Sequence, residues 1–256
     1  RIYRLAMHIP YSTFSTGHLE KNVQKVKAFW ADTEAFLNEM YLRDLGVRFE
    51  VVKDERLIIK DEDKETFASY RNADYVKDNS TTIINELIGE NSYDVGISLA
   101  YTASLKKGVR GLAYLEGVYK ANTKADAVAV LTKEVIAHEI GHLFGGRHTF
   151  GSYKGSEAYD SEKTEYDRGT SVMSYGSPRD FFSLSSIQRI RERLTKVPVK
   201  AHDKTFTTQA PRIDHSKIKS HYTIPKGSFF QFYIPATDPD SEQLLYAVNQ
   251  HDVRNG

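Results

Sequence analysis

Histidine and glutamate side chains lie close together in the stretch HEIGHLFGGRH at residues 138–148. On an α-helix, residues four apart share one face, so His138 and His142 would direct two imidazoles to one point. Glu139 lies about 100° around the helix from His138 and would lean over that point without being a ligand. The apolar spacing upstream supports a helix at this place. The pattern therefore predicts a pair of metal ligands with an acidic neighbour.

A third histidine follows the predicted end of this helix. Gly145 and Gly146 favour a helix C-terminus, because glycine adopts the left-handed conformation that ends helices. The chain then turns and brings His148 back towards the first two histidines. Three neutral imidazoles with one open coordination position are typical of a catalytic zinc ion rather than a structural one. We therefore expect His138, His142 and His148 to bind one zinc ion.

The acidic residue in this group predicts the reaction. Zinc lowers the pKa of its bound water to roughly 7. Glu139 would take the proton from that water as it attacks a carbonyl, and would then pass the proton to the leaving amine. A solvated helix face with two incidental histidines is the alternative for the short HExxH pattern. The glycine and third histidine at fixed offsets, and the later segment SVMSYG at 171–176, disfavour that alternative.

The longer pattern HExxHxxGxxH, followed by a methionine-containing turn, is the signature of the metzincin zinc endopeptidases. The chain resembles their reprolysin-like (adamalysin-type) members secreted by Bacteroidetes-type bacteria. The matching segments are AHEIGHLFGGRHTF (137–150), SVMSYG (171–176), FFSLSSIQRI (181–190) and RDLGVRFEVV (43–52). Animal reprolysins carry an aspartate after the third histidine and several disulfides. Here Thr149 follows His148, and the chain has no cysteine.

The resemblance implies roles for two residues of the segment 171–176. Met173 would form an apolar floor beneath the metal without coordinating it. Tyr175 lies where a tyrosine reaches the zinc in some metzincins, such as the astacins, and its phenol could also donate to the oxyanion of the tetrahedral intermediate. A tyrosine that is merely packed in the turn is the alternative to both roles.

The resemblance also implies an antiparallel edge strand that lines the cleft. We place it between the last predicted core strand and the zinc helix, at Gly111, Leu112, Ala113, Tyr114 and Leu115. A peptide substrate adds to such an edge through main-chain hydrogen bonds. An ordinary strand without substrate contact is compatible with the same residues.

Hydrophobic periodicity predicts the elements that position these residues. Strands are expected at 2–9, 47–53, 56–60 and 93–100, and helices at 19–41 with Gly46 as its C-terminal glycine, at 80–89 with Ser80 as its cap, and at 183–194. The order indicates an α/β (α+β) fold with a twisted, mostly parallel sheet and helices packed on it. The resemblance implies that this fold is a metzincin catalytic domain with an antiparallel edge strand and a zinc helix. The segment 151–170 is expected to be surface loop.

Composition shifts predict the domain organisation. We expect a catalytic domain at 1–198, a linker at 199–221, and a short C-terminal β segment at 222–256. That segment resembles the first part of an immunoglobulin-like or PKD-like module, of which a complete sandwich needs about 100 residues. Acidic residues at Asp160, Glu162, Glu165, Asp167, Asp238 and Asp240 could bind calcium, although no defined loop pattern supports it.

Charge and hydropathy limit the partners. A formal net charge of +1 over 256 residues gives no reason to expect nucleic acid or a membrane surface, and no apolar run is long enough for a membrane span. The expected partner is a polypeptide substrate, and we expect a monomer. Four histidines of the C-terminal part have no ligand spacing, namely His202, His215, His221 and His251, and His8 at the end of the first strand is expected to be packed.

The resulting prediction is a secreted zinc metalloendopeptidase. The chain begins at Arg1 rather than methionine, which we interpret as a mature extracellular enzyme freed of its signal peptide and its pro-segment, and a trimmed chain is the alternative. Two other functions remain open. One is a catalytically inactive zinc-binding adhesion or scaffold module with a protease fold, which the intact Glu139 disfavours. The other is a hydrolase with a non-peptide substrate, which the predicted edge strand weakly disfavours.

Overall fold

A computed structural model describes residues 1–14, 19–100, 109–152, 161–196, 211–240, 243–244 and 246. The chain divides into two compact units, Arg1–Asp203 together with Gln250–Gly256, and Lys204–Asn249. The first unit contains the predicted metal ligands.

Helices and strands alternate along the described part of the first unit. The strands are β1 (Ile2–His8), β2 (Arg48–Val51), β3 (Val95–Ala100), β4 (Gly111–Ala113), β5 (Ala127–Val130), β6 (His148–Phe150) and β7 (Ser161–Glu165). The α-helices are α1 (Tyr11–Phe14), α2 (Val23–Leu45), α3 (Ala73–Ile88), α4 (Lys133–Leu143) and α5 (Leu184–Lys196). Short 3-10 helices cover Glu55–Leu57, Glu62–Lys64, Glu90–Ser92 and Gly117–Tyr119.

Five strands form the main sheet in the order β2-β1-β3-β5-β4. The pairs β1–β2, β1–β3 and β3–β5 are parallel, and β4 pairs with β5 in the antiparallel direction. All six residues of β3 are buried. Because side chains alternate between the two faces of a strand, both faces of β3 are covered, as is typical of parallel sheets. The predicted mixed α/β fold with a mostly parallel sheet and an antiparallel edge strand is confirmed.

Helix α2 follows its predicted periodicity. The Asn22 side chain accepts hydrogen bonds from the backbone N–H groups of Gln24 and Lys25, which begins the helix later than the predicted residue 19. Gly46 ends it with a φ of 68°, as predicted. The buried face of α2 recurs every three or four residues, and α2 packs against β2, α4 and α5.

The predicted N-cap at Ser80 is wrong. Helix α3 begins at Ala73, where the Asn72 side chain accepts from the N–H groups of Asp74 and Tyr75. Ser80 lies inside the helix, where its buried hydroxyl lies 2.6 Å from the Ser98 hydroxyl in β3. Asn72 has the stronger local geometry for a cap, so the helix extends one and a half turns or more upstream of the prediction.

The predicted strand at 56–60 is also wrong. Glu55–Leu57 forms a 3-10 helix, and Ile58 makes only an isolated bridge with Ile9. Leu57 and Ile58 are buried in the core. The apolar run therefore reflects packing, and it does not extend the sheet. A short apolar run does not by itself distinguish these two outcomes.

Three further strands of the first unit lie outside the predicted set, namely β5, β6 and β7. The buried run Ala127–Val130 forms β5, which connects the parallel sheet to the edge strand. Ser161–Glu165 forms β7, which pairs with β6 in the segment expected to be loop. Polar residues fill β7, so its sequence carries no alternating apolar signal. The predicted helix at 183–194 is confirmed as α5, with Ile190 and Leu194 buried.

The second unit has little regular structure in its described residues. β8 (Arg212–Ile213) pairs with β9 (Ala236–Thr237) in the antiparallel direction, and His215–Lys217 forms a 3-10 helix. β8 and the 3-10 helix lie in the second half of the expected linker, which therefore contains regular structure. Of the strands expected at 222–248, the described residues contain β9 alone. The immunoglobulin-like or PKD-like assignment stays a prediction.

Candidate metal centre

The three predicted ligands converge on one point. His138 and His142 project from α4, and His148 opens β6. Their Nε2 atoms are 3.1 Å apart for His138 and His142, and 3.2 Å apart for each pair that includes His148. A tetrahedral ion with nitrogen ligands at 2.0–2.1 Å requires nitrogens about 3.3 Å apart. These three histidines are positioned to bind a metal ion.

Backbone carbonyls orient two of the three rings. The carbonyl of Val172 accepts from His138 Nδ1 at 2.6 Å, and the carbonyl of Gly146 accepts from His142 Nδ1 at 2.7 Å. A carbonyl only accepts, so each Nδ1 carries the proton and each Nε2 presents a lone pair. Acceptors at the far side of the ring are the usual partners of metal-binding histidines, since they fix both tautomer and ring orientation.

Burial keeps these imidazoles in the form that binds metals. It lowers the pKa of His138 well below its usual value, aided by the nearby His142 and His148. Burial, with the nearby His148, also lowers the pKa of His142 to about 3, against the opposing effect of the Gly146 carbonyl. Metal binding requires neutral imidazole. The donor set, its spacing and its protonation state all fit a zinc ion.

Glu139 is buried beside this group. Burial raises the pKa of its carboxyl group well above the usual value, which is the direction expected for a proton acceptor working near neutrality. Its side chain lies against Gly111 of β4. A Cβ atom built on Gly111 would stand 2.4 Å from the Glu139 Oε1 atom, so glycine provides the space for the carboxylate beside the edge strand.

The segment 171–176, which we call the Met-turn, lies directly against the ligands. Met173 is fully buried. A Cβ atom built on Gly141, between the two helical histidines, would stand 2.5 Å from the Met173 sulfur, so the thioether packs closely against α4. The Met173 carbonyl accepts from the backbone N–H of Thr149 at 3.2 Å. These contacts join the Met-turn to the strand that carries His148.

Tyr175 directs its hydroxyl towards the histidine group. The hydroxyl oxygen lies 3.1 Å from His148 Nε2. The ring stacks on Phe150, with centroids 4.7 Å apart. The hydroxyl is therefore close to the point at which the three Nε2 atoms meet, which is compatible with a role as metal ligand or as oxyanion donor.

The histidines form the floor of a cleft of about 570 Å³. Four of the five predicted edge-strand residues line it, namely Gly111, Leu112, Ala113 and Leu115. Tyr114 is not among the lining residues. It is exposed, and the Lys120 ammonium group lies 5.4 Å from the centre of its ring. β4 is the last strand of the sheet, so its outer edge borders the cleft.

Glu165 was predicted only as one of several acidic residues that could bind calcium, and the structure gives it a different role, which the sequence did not predict. Its Oε2 atom accepts from the hydroxyls of Thr149 and Ser171, and its Oε1 atom accepts from the N–H groups of Thr170 and Ser171 at 2.9 and 3.0 Å. Burial alone would raise the pKa of Glu165, but the hydrogen bonds from Ser171 and Thr149 outweigh it and hold the pKa below the usual value. Glu165 therefore braces the Met-turn against β6.

The remaining predicted residues lie elsewhere. His8 is fully buried, with its Nδ1 3.0 Å from the Ser98 hydroxyl, and is outside the histidine group. His215 and His221 lie in the second unit. His202, His251 and Asp160 are outside the described residues. The acidic residues suggested for calcium that lie near the site have other partners: Glu162 pairs with Arg189, and Asp167 binds Ser152.

Comparison with known proteins identifies one family. The family model "Metallo-peptidase family M12B Reprolysin-like" matches residues 30–149. That span includes most of α2, the edge strand, Glu139 and all three histidines, and it ends before the Met-turn. No curated protein matched the sequence. In the described residues, no helix has the length and apolar character needed to cross a membrane.

One solved structure is similar over most of this chain. It is titled "Structure of a chaperone-substrate complex", is 13% identical in sequence, and aligns over 76% of this chain with a TM-score of 0.47. This chain covers 35% of that chain. The likeness is too weak to bear on activity.

Proposed function

Because residues 30–149 match the family model of the reprolysin-like metallopeptidases of family M12B, we propose that the protein is a zinc-dependent endopeptidase. The observation that carries the proposal is the convergence of three imidazoles, with Nε2 atoms 3.1–3.2 Å apart, beside the buried carboxyl group of Glu139. Three nitrogen ligands leave one position open, as catalytic zinc sites require.

The residues of the cleft would have separate roles in peptide hydrolysis. A zinc ion held by His138, His142 and His148 would supply a Lewis acid that polarises the substrate carbonyl and makes water acidic. Glu139 accepts the proton of the attacking water and donates it to the leaving amine, so that one group serves both steps. The Tyr175 hydroxyl donates to the oxyanion as the carbonyl becomes tetrahedral.

The edge strand would position the substrate. β4 is the edge strand of the sheet among the described strands and lies along the cleft, and a peptide in extended form would add there as a further antiparallel strand. Gly111 keeps the Glu139 carboxylate close to that edge. The scissile bond then lies between the strand and the histidines, where attack by water is possible.

Secretion, release from a precursor and a monomeric state are further parts of this proposal. They rest on the resemblance to secreted reprolysin-like enzymes. Two other functions are distinguished by experiment: an inactive zinc-binding module, and a hydrolase acting on a non-peptide substrate.

Turnover of a mixed peptide library, measured with and without a chelator, tests the proposal. We expect internal cleavage that a chelator abolishes and zinc restores, with one zinc ion per chain by elemental analysis. His142→Ala should lose both zinc and activity, whereas His221→Ala, which changes an exposed histidine of the second unit, should keep both. Stoichiometric zinc without any peptide cleavage would favour the inactive module or the non-peptide hydrolase. Cleavage in excess chelator would contradict the proposal.

A further inference from the structure

Arginine side chains surround the histidine group. Four of them line the cleft, namely Arg110, Arg147, Arg168 and Arg179, whereas Glu139 is the one acidic residue among the described lining residues. The whole chain is nearly neutral, with 35 lysines and arginines against 34 aspartates and glutamates. The positive charge of the cleft is therefore a local feature and does not follow from a basic protein surface.

Arg179 is the most constrained of these arginines. It follows the Met-turn, is half-buried, and has a φ of 63°, which is unusual for a residue with a side chain. Its backbone N–H donates to the Thr170 carbonyl at 2.8 Å. Burial, followed by the charge of Arg110, lowers the pKa of its guanidinium, against the opposing charge of Glu134. The guanidinium of Arg179 is thus held in surroundings that disfavour its charged form.

No carboxylate in the described part of the chain forms an ion pair with Arg110 or Arg179. Arg110 directs one nitrogen towards the Thr132 hydroxyl at 3.4 Å, and it directly precedes the edge strand. Arg110 and Arg179 therefore reach the cleft from its two sides, the edge strand and the Met-turn, and their charges repel each other. An anion bound between them would relieve this repulsion.

The other two arginines differ in their surroundings. Arg168 donates to the carbonyl of Tyr175 at 2.9 Å, which keeps its charge at the Met-turn side of the cleft. The positive charge of Arg147 helps to lower the pKa of Glu116, so part of the Arg147 charge is already balanced by that carboxylate. Among the described residues, the charge without a carboxylate ion pair in the cleft is thus concentrated on Arg110 and Arg179.

We propose that the cleft selects substrates with an aspartate or glutamate side chain next to the scissile bond, and that Arg110 and Arg179 bind that carboxylate. This inference rests on the endopeptidase function proposed above. Guanidinium groups match carboxylates in a bidentate geometry, and such charge-assisted hydrogen bonds are the stronger ones in proteins. A substrate strand on β4 alternates its side chains, so every second side chain would face the arginines.

A peptide offers carboxylate chemistry from two sources, an acidic side chain or a free C-terminus. The first is favoured because the arginines flank an edge strand that would accept a continuing peptide on both sides of the cleavage point. The second would make the enzyme release residues from the ends of peptides. The two sources are separated by blocking the C-terminus as an amide.

Matched peptides test the inference. Each pair differs only by glutamate or glutamine at one position flanking the scissile bond, and each is made with a free and with an amidated C-terminus. For the wild type we expect kcat/KM to be about 10–100-fold higher for the glutamate peptide, whichever C-terminus is present. Arg110→Gln, Arg179→Gln and the double variant should bring the ratio towards one. Arg191→Gln, which changes an exposed arginine of α5 outside the cleft lining, should keep it.

Two further measurements, the salt dependence of the glutamate preference and peptide binding without catalysis, complete the test. In wild type, the glutamate preference should fall as salt rises, since salt screens a partly exposed ion pair, and this readout remains if a variant does not fold. Binding of the same peptides to a Glu139→Gln protein, followed by fluorescence anisotropy, separates recognition from catalysis. Charge-dependent binding without any turnover by the wild type would support recognition of the carboxylate by Arg110 and Arg179, and it would contradict the proposed endopeptidase function. Turnover with equal rates for the glutamate and glutamine peptides, or a preference that requires a free C-terminus, would overturn the inference.

Discussion

The hydroxyl of Thr149 donates a hydrogen bond to the carboxylate of Glu165, sixteen residues further along the chain. Thr149 directly follows the third histidine, and Glu165 ends β7. The same carboxylate accepts from Ser171, the first residue of the Met-turn. One acidic side chain therefore connects the strand that carries His148 to the turn that lies beneath the ligands.

Glu165→Gln should lower the free energy of unfolding by about 2 kcal/mol, since hydrogen bonds to a charged group contribute about 1.5–3 kcal/mol and the amide keeps part of the network. Urea denaturation of the metal-free protein measures the difference. Glu50→Gln, at an exposed position of β2, is the matched control and should change stability by less than about 0.5 kcal/mol. Equal stability of the Glu165→Gln variant and wild type would show that this network is not stabilising.

The contribution of Glu165 should depend on pH. Its pKa is lower in the folded protein than the ordinary value of 4.5. A carboxyl group with a depressed folded-state pKa stabilises the fold above its unfolded-state pKa, and that stabilisation is lost as pH falls through the folded-state value. The stability difference between wild type and Glu165→Gln should therefore be constant from neutral pH down to about 5, and should shrink below about 4.5. Denaturation of both metal-free proteins across this range is the measurement, and a difference that grows on acidification would contradict the assignment.

Glu139→Ala should leave zinc bound and remove peptide hydrolysis. All three imidazoles remain in this variant, whereas general acid-base catalysis contributes about 10²–10⁴-fold and Glu139 serves both proton transfers. Elemental analysis and turnover are measured on the same sample. Glu86→Ala, at an exposed position of α3, should behave as wild type. Retention of more than about a tenth of the activity would contradict the role of Glu139 as general base and general acid.

Tyr175→Phe removes a hydroxyl that lies 3.1 Å from His148 Nε2 and keeps the ring that stacks on Phe150. We expect kcat to fall more than the affinity for substrate, because the lost hydrogen bond forms mainly in the transition state. A single oxyanion donor contributes roughly 10²–10³-fold in turnover, and the loss should be smaller here because zinc would also polarise the oxyanion. Tyr166→Phe, at an exposed position, is the control. Normal turnover of Tyr175→Phe would indicate a packing role.

Local patterns predicted that the three histidines lie close together, as they do in the structure. His138 and His142 are related by helical geometry, and Gly145, with a φ of 99°, permits the turn that returns His148. These relationships span eleven residues, so they can be read directly from the sequence. Strand β3 was predictable from a local pattern as well, because it is a nearly continuous apolar run.

Long-range and non-periodic features could not be read in this way. Glu165 contacts Thr149 and Ser171 through a polar strand whose pairing has no local signal. Ser80 has the chemistry of a helix cap, but its partner is Ser98 in a neighbouring strand. The run at 56–60 is apolar because it packs against the core, and periodicity does not show whether a buried segment also joins the sheet.

The acceptors that orient His138 and His142 are main-chain carbonyls, at Val172 and Gly146. Orientation of these ligands is therefore determined by the path of the backbone and not by the identity of a neighbouring side chain. Val172 could diverge among related sequences to any residue that preserves this path without loss of ligand orientation. A substitution at position 172 should therefore leave the geometry of the centre unchanged. A substitution of Glu165, which acts through its side chain, should alter that geometry.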